Sequence, residues 1–474
     1  MRILLLAMPD TSDVIDFFTR IPNMAIISLA GNLPGHEVKA LDLVLYKPRI
    51  KEPLETILAE FRPQMVGLSA MTFQFDTLLR VARFIRNFDP AIKLAAGGYH
   101  VSLMSEELTG PGADLPLDFL IRGEGEITFR ELADQLARPR PNCRNILGLS
   151  YRQAGKWRHN PDRPLLDLAQ LPLPHRRARV ADGFYVLDLP MDVAETSRGC
   201  PYNCKFCSIT QMYGHTFRRF PLERIIADLE AIRQGGKKAV FFGDDNITHD
   251  VSHFRQVCQA IVAHGLNDLV YSTQVSAVGI AQNPELVADM DRANFRHIFV
   301  GFESMVAGDL KGIKKPTSPE INRRAAALLR RHHMAVIAGC IVGYPEDTQE
   351  SIRENYGLIK ELLPDMIYAQ YLTPYPKTRL RQEMLEADLV VNPDDFHTYD
   401  GFTCNIRTRH LSREELFRCL KREAFKGYFE PSLIAANYFL RHHLGFFLKA
   451  VAKSMATNLY QVLTSRQRGA RLDI

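Results

Sequence analysis

The first 140 residues alternate short apolar runs with stretches in which apolar residues fall three or four positions apart. Apolar runs bounded by polar or turn residues are typical of strands in a parallel sheet, and the wider spacing is typical of one face of a helix. This alternation predicts a doubly wound parallel sheet, which binds ligands at the carboxyl ends of its strands. The strands are predicted at residues 3–7, 38–41, 65–69, 93–96 and 119–121, and the helices at 24–33, 53–61, 77–87 and 128–136.

The same alternation resumes near residue 192 and continues to about residue 371. Six strand-like runs with helical stretches between them predict a partial (β/α)6 TIM-type barrel. The chemistry of such a barrel lies at the carboxyl ends of its strands. The strands are predicted at 193–196, 239–242, 269–273, 297–300, 336–342 and 366–371, and the helices at 221–234, 253–264, 284–293, 319–332 and 348–362.

The stretch between the two alternating regions contains seven prolines and the only tryptophan, Trp157, which predicts a linker with one hairpin. Beyond residue 392 the pattern becomes helical and basic. Residues 431–463 have the spacing of an amphipathic helix that is broken near Gly445. The sequence thus predicts an α/β protein whose four parts are a Rossmann-like (flavodoxin-like) domain at 1–140, a linker at 141–190, a barrel at 191–392 and a helical extension at 393–474.

The composition is that of a soluble globular protein, with 46% hydrophobic and 24% charged residues. The net charge is +5, but residues 405–474 hold 13 Lys and Arg against 5 Asp and Glu, so the basic character belongs to the tail. A nucleic-acid-binding protein would spread its basic residues over a recognisable module, so we expect no nucleic-acid partner. No uncharged run approaches the roughly 18 apolar residues of a membrane span, and Pro9 and Asp10 end the first apolar run too early for a signal peptide.

Three of the eight cysteines lie directly after the first predicted barrel strand, in the spacing CxxxCxxC: Cys200, Cys204 and Cys207. Three thiolates on one short loop can hold three irons of a [4Fe-4S] cluster and leave the fourth iron without a protein ligand. A structural zinc site would need four protein ligands; His215 is a conceivable fourth, but it lacks finger spacing. The scattered cysteines do not form a secreted disulfide framework, so we expect a reducing, cytoplasmic location.

This spacing, with the aromatic Phe206 before the last cysteine, resembles the signature of the radical S-adenosylmethionine (SAM) superfamily. The resemblance implies that the free iron chelates SAM and that electron transfer cleaves SAM to a 5′-deoxyadenosyl radical. It also implies an electron donor such as a flavodoxin or a ferredoxin. The position of the cysteines at the end of a barrel strand agrees independently with the place where such barrels hold their sites.

Later loops also resemble the SAM-binding motifs of this superfamily. A Gly-Asp-Asp-Asn loop follows the second barrel strand, although a surface turn would use the same residues. The fourth strand ends in a carboxylate that suits a ribose contact, and the fifth runs into a GxIxGxxE-like element that resembles the one beside adenine. Lys377 follows the sixth strand where relatives often have glycine, and it receives no role. The residues that the resemblance assigns to SAM are Gly243, Asp244, Asp245, Glu303, Gly339, Ile341 and Gly343.

Two strand ends in the first domain, at Ser69 and at Gly97-Gly98, would let a flat ligand approach the backbone closely, although tight turns alone would also explain the glycines. With the Gly-Glu-Gly-Glu run at 123–126, the domain resembles the cobalamin-binding domains that precede many radical SAM barrels. The loop at 9–14 lacks the histidine that methionine-synthase-type domains offer to cobalt. The resemblance therefore implies cobalamin bound without a histidine ligand, or a domain that has lost cobalamin. His36 and His100 are expected to be structural or solvent-facing.

The combined resemblance implies a cobalamin-dependent radical SAM enzyme, a C-methyltransferase in which methylcobalamin delivers methyl to an unactivated substrate carbon. One alternative resembles the anaerobic magnesium-protoporphyrin monomethyl ester cyclase, which uses the same modules without methyl transfer. A methylthiotransferase is disfavoured, because that family carries extra N-terminal cluster cysteines and the first 142 residues contain none. A non-catalytic cobalamin-binding sensor or carrier is a third alternative, against which the intact cysteine triplet argues.

The substrate class stays open between a small molecule, a lipid and a tetrapyrrole. The C-terminal helix has two interpretations. It docks against the barrel as a lid, or it lies at a membrane surface with a basic face and with Phe439, Phe446 and Phe447 dipping into the bilayer. The second interpretation would make the protein peripheral at a membrane and would suit a lipid or tetrapyrrole substrate.

Overall fold

The computed structural model describes residues 1–11, 15–427, 429–464 and 472–474. Its first sheet has a parallel core in the strand order β3-β1-β4-β5-β6, which is the flavodoxin-like order 2-1-3-4-5. The predicted doubly wound sheet is therefore confirmed. The five strands are β1 (Arg2–Ala7), β3 (Glu37–Asp42), β4 (Met65–Ser69), β5 (Lys93–Gly97) and β6 (Phe119–Ile121).

These strands form because their apolar runs are covered on both faces. Leu4 and Leu6 of β1 belong to one apolar cluster, and Ile3 and Leu5 belong to the cluster on the opposite face. The helix that follows β5 was not predicted, because its apolar residues lack a regular spacing and its backbone kinks at Met104. The helices around this sheet are Met24–Gly31, Lys51–Phe61, Phe75–Phe88, Tyr99–Leu108 and Gly125–Leu136.

The hairpin predicted in the linker extends this first sheet. Strands β7 (Leu149–Gln153) and β8 (Lys156–His159) are antiparallel, and β7 pairs with the outer strand β6. Trp157 lies on β8, where Arg152 of β7 stacks over its ring. The prolines before and after the hairpin confine the irregular backbone to the segments that connect the two sheets.

The second sheet is a curled half-barrel in which six described strands run parallel in the order β17-β16-β15-β14-β13-β10. Beyond β10 it continues with the antiparallel strand β9 (Tyr185–Val186) and with β2 (Thr19–Arg20), which comes from the first domain. A separate two-stranded ribbon pairs β11 (Ser197–Arg198) with β12 (Arg218–Arg219). The parallel strands are β10 (Leu189–Ala194), β13 (Ala239–Phe242), β14 (Val270–Ser276), β15 (Phe295–Glu303), β16 (Ala335–Val342) and β17 (Met366–Tyr371).

Helices cover the outer face of the half-barrel, and their bounds lie close to the predicted ones. Several begin at ordinary sequence signals: Ser318 caps the helix at 319–331, whose first residue is a proline, and Thr348 caps the helix at 349–361. The helices of this part are Ile209–Tyr213, Leu222–Gln234, Val251–Ala263, Ala277–Ala281, Pro284–Arg292, Ala307–Gly312, Pro319–Arg331, Gln349–Glu361 and Arg379–Glu386.

The C-terminal helices after residue 430 dock at the end of the half-barrel at which its strands begin. Asp365, just before β17, accepts hydrogen bonds from the backbone of Tyr438, and its own carbonyl accepts one from Asn437 at 2.8 Å. The ring of Phe439 is buried beside Ala335, the first residue of β16. The expected docking is thus present, but not as a lid on the mouth, because the contacts lie at the opposite end of the strands. These helices are Pro431–Ala436, Tyr438–His442 and Leu444–Thr464. The helix before them, Arg413–Gly427, packs near the carboxyl end of β17, where its Phe417 carbonyl contacts the Tyr371 hydroxyl.

Among the described residues, no helix combines the length and the apolar character needed to cross a membrane.

Candidate functional site

The cysteine loop, residues 199–217, leaves the half-barrel near the carboxyl end of β10. Its stem is the ribbon of β11 and β12, so both ends of the loop are held together by strand pairing. All three of its cysteines are half-buried free thiols, and the Cys207 amide donates to the Cys204 carbonyl at 3.2 Å. Burial raises the pKa of Cys204 to about 11 and that of Cys207 to about 12. These thiols therefore stay protonated unless a bound metal replaces the proton.

The three cysteine thiols are a donor set that suits a [4Fe-4S] cluster with one open iron. Within the described residues, no three His, Cys, Asp or Glu side chains are arranged to share one metal ion. In a [4Fe-4S] cluster each thiolate binds a different iron, so the sulfurs need not converge on one point. His215, the conceivable fourth zinc ligand, is exposed and contacts the Pro201 carbonyl at 3.1 Å. The donor set of three thiols therefore fits an iron–sulfur cluster.

Asp244, predicted as a SAM contact, is buried behind the cysteine loop. Its carboxylate accepts hydrogen bonds from the amide and hydroxyl of Thr196 and from the hydroxyl of Ser197. Burial raises the pKa of this carboxyl to about 7. The contacts found for Asp244 thus anchor the strand that leads into the cysteines.

The next two residues of the same loop continue this support. Asp245 accepts a hydrogen bond from the Gly199 amide at 2.7 Å, and Asn246 donates to the Cys200 sulfur at 3.7 Å. Burial raises the pKa of Asp245 to about 6. The residue before the two carboxylates, Gly243, lies at the end of β13, where a Cβ would make only ordinary contacts.

Glu303, the expected ribose contact, forms a buried ion pair with Lys315, whose ammonium lies 2.6 Å from a carboxylate oxygen. Burial alone would lower the pKa of Lys315, but the Glu303 carboxylate and the nearby Cys204 raise it. A Cβ on Gly301 would lie 2.6 Å from that carboxylate, so a larger residue there would force the ion pair to shift. Sequence analysis missed Lys315, because Lys314-Lys315-Pro316 has the composition of an ordinary surface loop.

The element at 339–346 lies beside this pair. A Cβ on Gly339 would lie 2.7 Å from the Phe299 ring, and Ile341 is almost completely buried in the core. Gly343 has φ +92°, and its amide, like that of Tyr344, donates to the Asp347 carboxylate. The predicted SAM residues on β13, β15 and β16 are therefore brought to one end of the half-barrel, together with the cysteines.

The inner face of the half-barrel carries an aromatic row. Phe299 of β15 packs edge-on against Tyr368 of β17 at 5.5 Å, and Tyr368 packs against Phe402 at 5.0 Å. Gln274 faces the same interior, because its neighbours Thr273 and Val275 are buried on the opposite face of β14. Gln274 is nevertheless exposed, which on a central strand means that it borders open space inside the half-barrel. Sequence analysis did not single out this residue.

The predicted cobalamin residues meet at the carboxyl edge of the first sheet. Ser69 and Gly97 are register partners at the ends of β4 and β5. Gly98 has φ +102°, and a Cβ there would lie 2.3 Å from the Ala70 carbonyl oxygen. Its glycine is therefore required by the close packing of the two loops.

Around this edge, several features fit a large ligand with polar side chains. One carboxylate oxygen of Asp10 and the Nδ1 of His100 are buried with no hydrogen-bond partner in the structure. Met71 is 45% exposed, and a Cβ on Gly123 would meet open space. These two buried atoms do not reach solvent, whereas Met71 and the space beside Gly123 are open, so the room for a flat ligand such as cobalamin lies there. The loop at 9–14, in which no histidine occurs, lies partly outside the described residues.

The carboxyl edges of the two sheets face each other. Tyr99 of the first domain packs edge-on against Tyr213, which follows the cysteines, with ring centroids 6.4 Å apart. His100 packs between Phe75 and Phe396, so its ring is a buried structural element. Lys377 has φ +61° and forms an ion pair with Glu107 across the two domains. His36 lies far from this region, bonded to Met1 and Asp134.

A three-cysteine loop at the mouth of a half-barrel, opposed by a flavodoxin-like sheet with an open ligand edge, defines a two-domain radical SAM protein. Residues 194–359 match the radical SAM superfamily, and residues 14–133 match the B12 binding domain. The chain therefore combines a radical SAM domain with a B12 binding domain.

Similar proteins share this two-domain arrangement over most of the chain. An uncharacterized methyltransferase, PH0819 of Pyrococcus horikoshii, is 29% identical over 97% of this chain and 99% of its own length. The anaerobic magnesium-protoporphyrin IX monomethyl ester cyclase of Rubrivivax gelatinosus is 24% identical over 80% of this chain and 67% of its own. The solved radical SAM methyltransferase TsrM from Kitasatospora setae is 20% identical, with a TM-score of 0.69 over 81% of this chain and 78% of its own. The last similarity supports the fold.

Proposed function

We propose that this chain is a cobalamin-dependent radical SAM methyltransferase that methylates an unactivated carbon. The observation that carries the proposal is the juxtaposition of the three-cysteine loop with the open carboxyl edge of the B12-binding domain. Two of the similar proteins, PH0819 and TsrM, are named as methyltransferases, and TsrM has been solved with cobalamin and a [4Fe-4S] cluster bound.

The cofactors are assigned to the residues that the site brings together. Cys200, Cys204 and Cys207 would hold the cluster. When bound, the cluster and SAM supply a radical and cobalamin supplies the transferable methyl group. The SAM side consists of Gly243, Asp244, Asp245, Glu303, Gly339, Ile341 and Gly343, and the cobalamin side of Ser69, Gly97 and Gly98.

Within this assignment, the chain's own residues have separate tasks. Asp244 and Asp245 hold the cysteine loop, and Glu303 places a carboxylate at the rim while Lys315 balances its charge. Cobalamin would be held without a histidine ligand, because His100 is enclosed by aromatic rings.

The substrate site is assigned to the interior of the half-barrel. Its aromatic row suits an apolar or flat group, and the Gln274 amide can bind one polar group of the same molecule. A lipid or a tetrapyrrole-like small molecule has this character. A flavodoxin or a ferredoxin is proposed as the electron donor.

A cytoplasmic protein at the membrane periphery would suit such a substrate. All eight cysteines are free thiols, as expected in a reducing compartment. On the helix at 444–464, Leu444 and Leu448 are about half exposed. Lys449 and Lys453 are also exposed, and the Lys453 ammonium lies 4.7 Å from the centre of the Phe17 ring. An apolar stripe beside lysines is the arrangement of a helix at an anionic lipid surface.

The proposal is tested by anaerobic reconstitution with iron, sulfide and cobalamin, followed by metal analysis and a search for 5′-deoxyadenosine. We expect about four irons and one cobalt per chain, and we expect the Cys204→Ala variant to lose both iron and SAM cleavage. A product heavier by one CH2 unit supports methyl transfer. A product without that gain would favour cyclase-like chemistry, and cobalt binding without SAM cleavage would favour a sensor or carrier.

A further inference from the structure

The stem of the cysteine loop is attached to the cobalamin-binding domain by buried ion pairs. Arg198 and Arg218 are register partners in the ribbon, so one precedes the cysteines and the other follows them. Both guanidinium groups reach Glu124, with nitrogen–oxygen distances of 3.0 Å from Arg198 and 2.8 Å from Arg218. One carboxylate of the first domain thus bridges the two strands that open and close the loop.

A second carboxylate of the first domain reinforces this attachment. Glu126 accepts from Arg198 at 2.8 Å and from the Ser28 hydroxyl at 3.0 Å. Glu195 of the barrel also pairs with Arg198, at 3.0 Å. Although burial raises the pKa of Glu126, the Arg198 guanidinium outweighs it and keeps the pKa below its ordinary value.

Because these groups are buried, the charges of each domain depend on the other domain for compensation. Arg198 is 8% exposed, Glu124 is 9% exposed and Glu126 is 5% exposed. A buried charge that loses its partner is strongly destabilising, because it is removed from water without compensation. Glu124 has further support within its surroundings, since it also accepts from the Leu166 amide at 2.9 Å. The arginines of the stem therefore have their main counter-charges in the other domain.

We propose that Glu124 is a positioning residue, which acts through Arg198 and Arg218 to set the cysteine loop relative to the cobalamin edge. Two geometric facts carry the inference. The residue contacts both strands of one ribbon pair, and it lies at the start of the helix Gly125–Leu136, which packs on the sheet that ends in Ser69 and Gly97. The effect on the loop follows from the contacts alone, and the effect on the cluster rests on the proposed function.

The test compares Glu124→Gln with the matched control Glu131→Gln in the full-length protein. Glu131 lies on the same helix but pairs with Arg163, away from the cysteine loop. Hydrogen exchange is measured by mass spectrometry on peptides that cover residues 196–219. We expect exchange there to accelerate by about tenfold in Glu124→Gln and to stay unchanged in the control.

A spectroscopic measurement separates positioning from general destabilisation. After reconstitution, the reduced and SAM-bound Glu124→Gln protein should give a broadened or split EPR signal of the cluster, at an iron content equal to that of the control. A lower unfolding temperature with an unchanged EPR signal and unchanged exchange at 196–219 would overturn the proposal. Equal acceleration in the Glu131→Gln variant would overturn it as well.

A variant on the barrel side keeps the test decisive if Glu124→Gln does not fold. Arg218→Gln, which removes the barrel side of the bridge, should by itself accelerate exchange in the same peptides. Where both single variants fold, the double variant should accelerate exchange by less than the sum of the single effects, because no buried partner is left unpaired. Additive effects of the two substitutions on hydrogen exchange would contradict the proposal that Glu124 bridges the two strands. If the wild-type protein binds no cluster, the proposed function fails, while the exchange experiment still decides the role of Glu124.

Discussion

Asp244 illustrates how a single buried carboxylate organises the cysteine loop. It makes no ion pair with an arginine or lysine among the described residues, and its oxygens are occupied by the donors of Thr196 and Ser197. Such a carboxylate contributes through hydrogen bonds rather than through charge pairing. Its role is therefore sensitive to the replacement of one oxygen by an amide nitrogen.

Replacing Asp244 by asparagine should lower both stability and cluster occupancy. The new amide would place a donor against a donor of Thr196 or Ser197, at a cost of about 1–3 kcal/mol. Urea unfolding and the iron content after reconstitution measure the two effects. Asp268→Asn, at a site where the aspartate is 60% exposed, is the control. Equal behaviour of the two variants would contradict the anchoring role.

Gln274 allows a test of the substrate site at a residue that does not support the fold. Because its side chain is exposed inside the half-barrel, Gln274→Ala removes no buried packing. We expect unchanged unfolding and unchanged SAM cleavage without substrate, with a substrate KM raised by about tenfold, which is the loss of one polar contact. An unchanged KM in steady-state kinetics would exclude this amide from substrate binding.

At the scale of elements, the C-terminal helices are held to the half-barrel by a mixed aromatic and histidine contact. His297 of β15 lies within about 6 Å of the rings of Tyr438, Phe439 and His443. Its Nδ1 contacts the Ser272 hydroxyl at 3.0 Å, and its Nε2 is buried without a partner. The imidazole is therefore compatible with this contact only in its neutral form.

This arrangement predicts a specific loss of stability in acid. Burial, together with the nearby His443, lowers the pKa of His297 to about 3. Between the ordinary histidine value of about 6.5 and pH 3, the unfolded chain binds a proton that the folded chain does not, so stability decreases as the pH falls. In this range His297 lowers the free energy of unfolding by about 1.4 kcal/mol for each unit that the pH falls.

Denaturant unfolding between pH 4 and pH 6 measures this effect. In the His297→Phe variant, the slope of the free energy of unfolding against pH should decrease by the contribution of about one bound proton. A substitution at His264, which is about half exposed on the surface, should leave this slope unchanged. A His297→Phe protein with the wild-type slope would show that another group controls acid stability.

At the scale of the whole molecule, the two domains place their openings toward each other and leave the C-terminal helix free on one side. The ion pair of Lys377 with Glu107 and the edge-on ring contact of Tyr99 with Tyr213 span the two domains near the site. The half-exposed stripe of the helix at 444–464 lies at the other end of the half-barrel. The proposed membrane contact therefore leaves the mouth accessible.

Binding to lipid vesicles tests that contact. The protein should float with vesicles that contain anionic phosphatidylglycerol, should bind pure phosphatidylcholine vesicles much less, and should be released by high salt, because lysines flank the stripe. Leu444→Ser with Leu448→Ser should abolish binding. The control pair Leu385→Ser with Val391→Ser removes equally exposed apolar side chains elsewhere. Salt-independent binding, or binding retained by the first pair, would contradict the proposal.

The alternation of apolar runs and helical spacing determined both parallel sheets, because each strand and helix buries a face encoded within a few consecutive residues. The cysteine spacing predicted the loop that is proposed to hold the cluster for the same reason, since the three cysteines lie within eight residues. The signal was weaker at Tyr99–Leu108, where irregular spacing concealed a helix.

Only the tertiary structure decided which side chains support that loop and where the C-terminal helices dock. Glu124 and Arg198 are 74 positions apart, and Lys315 and the Cys200 loop come from different strand ends, so no local pattern records their contact. An amphipathic face specifies that a helix needs a partner but not which one. The partner is set by the folded chain, which places the starts of β16 and β17 against the helices around Phe439. These helices therefore dock at the end of the half-barrel at which its strands begin.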